Sequence, residues 1–258
     1  MYPQNTLLRS ILEANDVDWE MNNTSPPDRQ IQFLLLPGLG ADHRMAHAQL
    51  ILPYDVIAPD YIPMNRHESL PDYAKRFGEY LISKKLIDPA RPLVLAGYSF
   101  GSAMVQEMTK HIPAKGVILI GGLKSSSELK FPVHWVGKNV SSWLPLFMYW
   151  IAGFFMAPVM HVSSGVGSSE IQLARQMYHD LPRSLFRDGY HALANWTGCP
   201  VLIPLFRIHG CQDQIITCPT PGENVILVNR AKHMVGQIQP EIVNAVIERF
   251  ITDVLRLG

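Results

Sequence analysis

Gly97-Tyr98-Ser99-Phe100-Gly101 places a serine between two glycines in a G-x-S-x-G pattern. Alone the pattern is weak, because three fixed positions recur by chance in many chains. Its setting is more specific. The apolar run PLVLAG precedes it, and the helix-like run SFGSAMVQEMTKH begins at the serine itself. A strand, a tight turn and a helix in that order hold a serine oxygen out above a sheet, and small neighbours are needed where strand and helix crowd together. The chemistry such a serine performs is attack on an acyl carbon. Near neutral pH that requires a base of matching pKa beside the hydroxyl.

Ten histidines are available. His233 follows the apolar run Val225–Val228 and precedes the last helix, so it lies in a loop able to reach a nucleophile at another strand's end. Asp213 follows the preceding strand in the same way, and a carboxylate there would fix the imidazole's tautomer and stabilise imidazolium. Negative charge on the tetrahedral intermediate needs preorganised N–H donors. The Phe100 N–H is one, and the loop Pro37-Gly38-Leu39-Gly40-Ala41-Asp42 after the first strand supplies Leu39 as the other. His209, at a strand end beside Gly210, reads as structural. Asp60 is the rival acid, but it precedes the serine and suits a loop hydrogen bond. His43 and His47 share a helical face without the glutamate of a zinc-binding H-E-x-x-H. Cys199, Cys211 and Cys218 have no zinc spacing, so no metal is expected. Rossmann glycine spacing and a Walker lysine are both absent, so no phosphate-bearing cofactor is expected either.

The elements that must position these groups alternate. Ile31–Leu36, Asp55–Ala58, Pro92–Gly97 and Gly116–Ile120 are near-continuous apolar runs, as in strands buried on both faces of a parallel sheet. Between them Asp42–Leu52, Ser69–Leu86 and Phe100–His111 read as helices, the second capped by Ser69 with Pro71 in its first turn. The rhythm breaks after Ile120 and resumes with Val201–Ile208, Val225–Val228 and an amphipathic helix over Pro240–Leu255. The predicted fold class is α/β: a mostly parallel twisted sheet with helices on both faces and a helical insertion. Residues 1–30 are read as an N-terminal helix and linker, 31–121 as the first part of the core, 122–197 as a helical cap, and 198–258 as the rest of the core.

The chain has 258 residues, 47% hydrophobic and 17% charged, enough apolar surface for a substantial core. Positive and negative residues balance at 22 each with no basic block, which argues against a nucleic-acid partner. An odd, small number of cysteines and an N-terminus without a long apolar core point to a reduced, cytoplasmic compartment. Residues 143–160 (WLPLFMYWIAGFFMAPVM) are uncharged and long enough to span a bilayer. A single crossing there would put the two halves of one sheet on opposite sides of the membrane. A pair of buried helices, a greasy lid, or a face that touches lipid without crossing fits better.

On these residues the chain resembles the α/β-hydrolase fold proteins over roughly residues 31–257. It is most similar to bacterial hydrolases with an LPGLGADxR segment, here Leu36-Pro37-Gly38-Leu39-Gly40-Ala41-Asp42-His43-Arg44. The "ESL-x-DYA" segment Glu68-Ser69-Leu70-Pro71-Asp72-Tyr73-Ala74 and the pattern Leu185-Phe186-Arg187 with Trp196 support it. The resemblance implies a Ser–Asp–His hydrolase with a helical cap: Ser99 as nucleophile, Asp213 as acid, His233 as base, Leu39 and Phe100 as oxyanion donors. Three departures stand out. Arg230-Ala231-Lys232 precedes His233, where a glycine commonly sits nearby. Pro37 replaces the histidine usual before the oxyanion glycine, and residues 1–30 show no counterpart of the fold's first antiparallel strands.

The expected function is cofactor-free hydrolysis of a small-molecule ester or thioester with an apolar group, through an acyl-enzyme. Trp143, Phe147, Trp150 and Phe154 of the insertion are the expected substrate contacts, in keeping with the apolar lining of most pockets. Acyl transfer or carbon–carbon bond cleavage on the same triad, and a non-catalytic binding protein of the same fold, are the alternatives. Peripheral lipid contact through the insertion is a further expectation, and nothing in the sequence sets an oligomeric state.

Overall fold

The computed structural model of the chain describes residues 30–149, 167–222 and 224–256. The predicted N-terminal helix, Trp150 and Phe154 lie outside them. Among the described residues the frame is a sheet of six strands: β1 (Gln32–Leu36), β2 (Asp55–Ile57), β3 (Leu93–Tyr98), β4 (Gly116–Ile120), β5 (Leu205–Gly210) and β6 (Val225–Val228). They are ordered β2-β1-β3-β4-β5-β6 and every pairing is parallel. β1, β3 and β4 are buried at every position, which is why their sequences are unbroken apolar runs rather than alternating ones.

Two apolar layers cover the sheet. On one face, Val94, Ala96, Ile118 and Ile120 pack with Met45, Ala46 and the last helix. On the other, Leu93, Leu95, Val117 and Leu119 pack with Tyr73, Phe77, Leu81, Ala103 and Met104. The helices of that second layer are α1 (Leu70–Ser83) and α2 (Phe100–Met108). Ser69 caps α1 by accepting from the Asp72 N–H, as its sequence promised. The chain between β4 and β5 forms α3 (Val133–Asn139), α4 (Ser168–Asp180) and α5 (Arg183–Asn195). After β6 come the short α6 (Val235–Ile238) and the long α7 (Pro240–Arg256). In α7 Ile242, Val243, Val246, Ile247, Phe250, Ile251 and Val254 are all buried, each contributing about 1.5–3 kcal/mol relative to exposure.

Several element boundaries move from those read in the sequence, and three have a clear local cause. The strand expected over Val201–Ile208 begins at Leu205 and extends to Gly210. Pro204 precedes it and has no N–H to give to a ladder, although its carbonyl accepts from the Val117 N–H. The helix expected over Asp42–Leu52 is a 3-10 segment, His43–Gln49, opened by the Asp42 side chain on the Arg44 N–H. The second helix stops at Ser83, just before Lys85 takes a left-handed φ of 56°. Among the described residues, no helix is long and apolar enough to cross a membrane.

Candidate active site

The strand order reverses between β1 and β3: the chain leaves β1 for the edge strand β2, then returns on the other side of β1 to make β3. Loops leaving the carboxyl ends of β1 and β3 therefore diverge, and ligand clefts of parallel sheets form at that point. Ser99 and the loop 37–42 stand on its two sides.

Ser99 joins β3 to α2 with φ 46° and ψ −109°, a conformation unfavourable for a residue with a side chain. Its surroundings hold it there. The Ser99 N–H donates to the Ile120 carbonyl at 3.2 Å, and the Ser102 hydroxyl donates to the Ser99 carbonyl at 2.5 Å. A side chain at Gly101 would strike the Leu36 and Pro37 carbonyl oxygens at 2.5 and 2.7 Å. Glycine thus lets the elbow press against the end of β1. A Cβ on Gly38 would lie 3.6 Å from Ser99 Cβ, so the β1 loop runs directly alongside the serine. Gly40 continues that loop at φ +88°. The Leu39 N–H makes no hydrogen bond among the described residues, and the Phe100 N–H, first in α2, has no carbonyl one turn back.

Asp213 lies on the turn after β5, with its side chain wholly buried. Oδ1 accepts from the N–H groups of Ile215 at 2.7 Å and Ile216 at 3.0 Å, while Oδ2 meets His233 Nδ1 at 2.7 Å. Burial pushes this carboxyl up, but His233 and the two N–H groups outweigh it and hold the group below the usual carboxylate range. The Lys130 ammonium pins the turn by donating to the Asp213 carbonyl at 2.6 Å. Cys211 and Gln212 donate to the Val228 and Ala231 carbonyls, tying the acid turn to the chain that carries His233. Gly210 lies hard against the Ala231 and Lys232 carbonyls, where no side chain fits.

His233 is brought toward the serine by its main chain. A Cβ on Gly121, the residue after β4, would lie 2.6 Å from the His233 carbonyl oxygen, and Gly121 follows the residue whose carbonyl holds the Ser99 N–H. Among the described residues the Ser99 hydroxyl makes no hydrogen bond to His233, and such contacts commonly tighten only when substrate binds. The structure thus joins Asp213 to His233 directly and sets Ser99 at the same end of the sheet, after β3, with β4 between β3 and β5.

Helices between β4 and β5 lie over the β1 loop. Gly189 of α5 approaches Leu39 and the Phe100 ring, and Gly40 approaches the rings of Phe186 and Tyr178. Arg44 links the layers, pairing with Asp42 and reaching Asp180 at the end of α4 at 2.6 Å. Trp196 anchors the returning chain through an indole N–H donated to Glu107 Oε1 at 2.7 Å. The pattern Leu185-Phe186-Arg187 with Trp196 was legible as sequence, yet its place over the loop was not. Of the expected substrate contacts, Trp143 is 69% and Phe147 61% exposed, whereas neighbouring Tyr149 is buried. The buried helix pair expected over 143–160 therefore does not hold at Trp143 and Phe147.

Asp60 accepts from both the backbone N–H and Nδ1 of His43 at 2.9 Å, a loop role rather than that of an acid beside His233. Asp42, His43 and Asp60 bring donor atoms within 4.8 Å of one another, but Arg44 already occupies Asp42 as counter-ion.

A model of the alpha/beta hydrolase family matches residues 33–246. None of the curated proteins matches the chain. Among solved structures, a thermophilic esterase from Thermogutta terrifontis superposes with a TM-score of 0.68 at 18% identity, over 87% of this chain and 90% of that one. An N-acyl homoserine lactonase gives 0.65 at 16%, over 88% and 90%. An aryl esterase described as putative, from Burkholderia cenocepacia, gives 0.67 at 15%, over 90% and 93%. At such identities the likeness is one of fold.

Proposed function

Because this chain belongs to the alpha/beta hydrolase family, we propose that it is a serine hydrolase that cleaves a small ester or thioester with an apolar group through an acyl-enzyme. Ser99 attacks the carbonyl carbon, and His233 takes the hydroxyl proton and passes it to the leaving group. Asp213 holds the His233 ring and stabilises its charged form. The N–H groups of Leu39 and Phe100 receive the oxyanion. Water, activated by His233, then releases the acid. The observation that carries this reading is the 2.7 Å contact between buried Asp213 and His233, at the same sheet end as a serine in a left-handed elbow.

The apolar preference is supported by Leu39, Phe100, Tyr178 and Phe186, which meet where α4 and α5 cover the β1 loop. Residues 122–197 act in this reading as a cap, with Trp143 and Phe147 on the path of an apolar substrate. A fluorophosphonate probe together with a p-nitrophenyl ester series of increasing acyl length tests it. Labelling at Ser99, and hydrolysis lost in Ser99→Ala, are expected. An unlabelled serine would favour a non-catalytic binder of the same fold.

A second reading concerns where the substrate comes from. Phe131, Trp135, Trp143 and Phe147 are all more than half exposed, and residues 129–169 contain no aspartate or glutamate. The Trp143 indole N–H is already bonded to the Asn139 carbonyl at 2.6 Å, which removes a cost of entering an apolar phase. This face suits the headgroup region of an anionic membrane without crossing it.

A further inference from the structure

The Asp213 carboxylate is met by a second imidazole. His209, on β5, is completely buried, and its Nε2 lies 3.3 Å from Asp213 Oδ2, the oxygen that also meets His233. In the chemistry proposed above His209 has no step to perform. Neither of its ring nitrogens makes a regular hydrogen bond among the described residues, and a buried polar ring left so costs free energy that an apolar residue would avoid. Resting on the Ser99–His233–Asp213 reading, we propose that His209 is a positioning residue: with its hydrogen on Nε2, the ring sets the positive edge of its dipole 3.3 Å from Oδ2 and keeps the Asp213 carboxylate in one orientation while His233 gains and loses its proton.

The tautomer follows from electrostatics. A neutral imidazole carries one N–H. With that hydrogen on Nδ1, the Nε2 lone pair would face a carboxylate oxygen 3.3 Å away in a dry interior, where like partial charges repel strongly. The ring is neutral where the base works. Burial, opposed by Asp213 and reinforced by Arg207 and His233, pushes His209 down to about 4.

The other charges nearby are already committed. Arg207, on the same strand, donates to the Gly122 carbonyl and to Glu128. Lys130, from the chain after β4, donates to the Asp213 carbonyl. The Ile216 backbone lies near the ring without making a regular hydrogen bond to it. His209 therefore acts as an aligned dipole. As a cation it would compete with the His233 imidazolium for one oxygen.

Nitrogen NMR of the imidazoles tests this without substrate, in wild type, His209→Phe and His209→Gln. The wild-type His209 ring is expected as the Nε2–H tautomer. Without its dipole the carboxylate favours imidazolium more, so His233 should titrate about half a unit higher in the Phe variant. The Gln variant, which returns an N–H near the same point, should restore the wild-type value. Fluorophosphonate labelling of Ser99 should slow about tenfold in the Phe variant and recover with Gln. An Nδ1–H tautomer in wild type, or His233 titrating alike in all three proteins, overturns the proposal. The wild-type tautomer decides the matter if the Phe variant fails to fold. Failure of the probe to label wild-type Ser99 overturns the hydrolase reading instead, while the titrations still judge the hold of His209 on Asp213.

Discussion

Gly97 and Gly101 touch across the elbow: a methyl group on Gly97 would overlap the carbonyl of Gly101. The glycines flanking Ser99 are thus a packing requirement between the end of β3 and the first turn of α2. Gly97→Ala or Gly101→Ala should cost at least about 2 kcal/mol, because the atoms met are main chain and cannot swing aside. Gly189→Ala meets Leu39 Cδ1 at 2.9 Å, the end of a flexible side chain. It should keep the fold within about 1 kcal/mol yet slow turnover by displacing Leu39. Thermal melts and ester kinetics on the three variants separate the two effects.

Ser99→Ala and His233→Ala should each lower kcat about a million-fold, and Asp213→Asn about ten-thousand-fold, with circular dichroism unchanged. The asparagine presents an amide N–H2 or a weaker acceptor where Oδ2 now meets Nδ1 at 2.7 Å, so His233 loses its preferred tautomer. Wild-type turnover in the serine variant, in protein free of host esterase, would remove Ser99 from the chemistry.

His209 predicts a stability slope in acid. Its native pKa of about 4 lies below the ordinary 6.5, so between those values the unfolded chain binds the extra proton and stability falls as pH falls. Stability is undiminished by this group above about pH 6.5, and the loss reaches about 3 kcal/mol by pH 4. Asp213, held below its ordinary value, adds a loss at lower pH still, as its native form is protonated. Melting temperatures of wild type and His209→Phe from pH 7 to pH 4 check this: the slope should flatten in the variant.

Trp196→Phe should destabilise the protein by about 1–3 kcal/mol, beyond the small change in apolar area. Glu107 is 1% exposed, and the variant leaves Oε1 without its indole donor while Oε2 keeps Lys110. Glu107→Gln in the same background should recover part of the loss, measured by urea unfolding.

Vesicle sedimentation addresses the aromatic face. Binding to vesicles containing phosphatidylglycerol should exceed binding to pure phosphatidylcholine and weaken in high salt. The pair Phe131→Glu and Trp135→Glu should abolish it while ester hydrolysis in solution persists. Equal recovery in the supernatant with and without vesicles would leave the face without a lipid role.

Much of this site could be read along the chain. The elbow is local: a strand, a tight turn and a helix lie within a dozen residues, and their side-chain periodicity and glycines are properties of the sequence itself. The order Ser99, Asp213, His233 and the two strand-end loops were legible for the same reason, since parallel strands present their carboxyl ends on one side. Tertiary packing decided the rest. No periodicity could say that Gly189 lies on Leu39, that Trp196 closes on Glu107, or that Trp143 is exposed, because each depends on how the helices between β4 and β5 settle on the sheet. His209 is the sharpest case. As a sequence it is one more histidine at a strand end. Only the fold of the turn that carries Asp213, fixed by the N–H groups of Ile215 and Ile216, turns the carboxylate back toward β5 and sets a second buried ring against it.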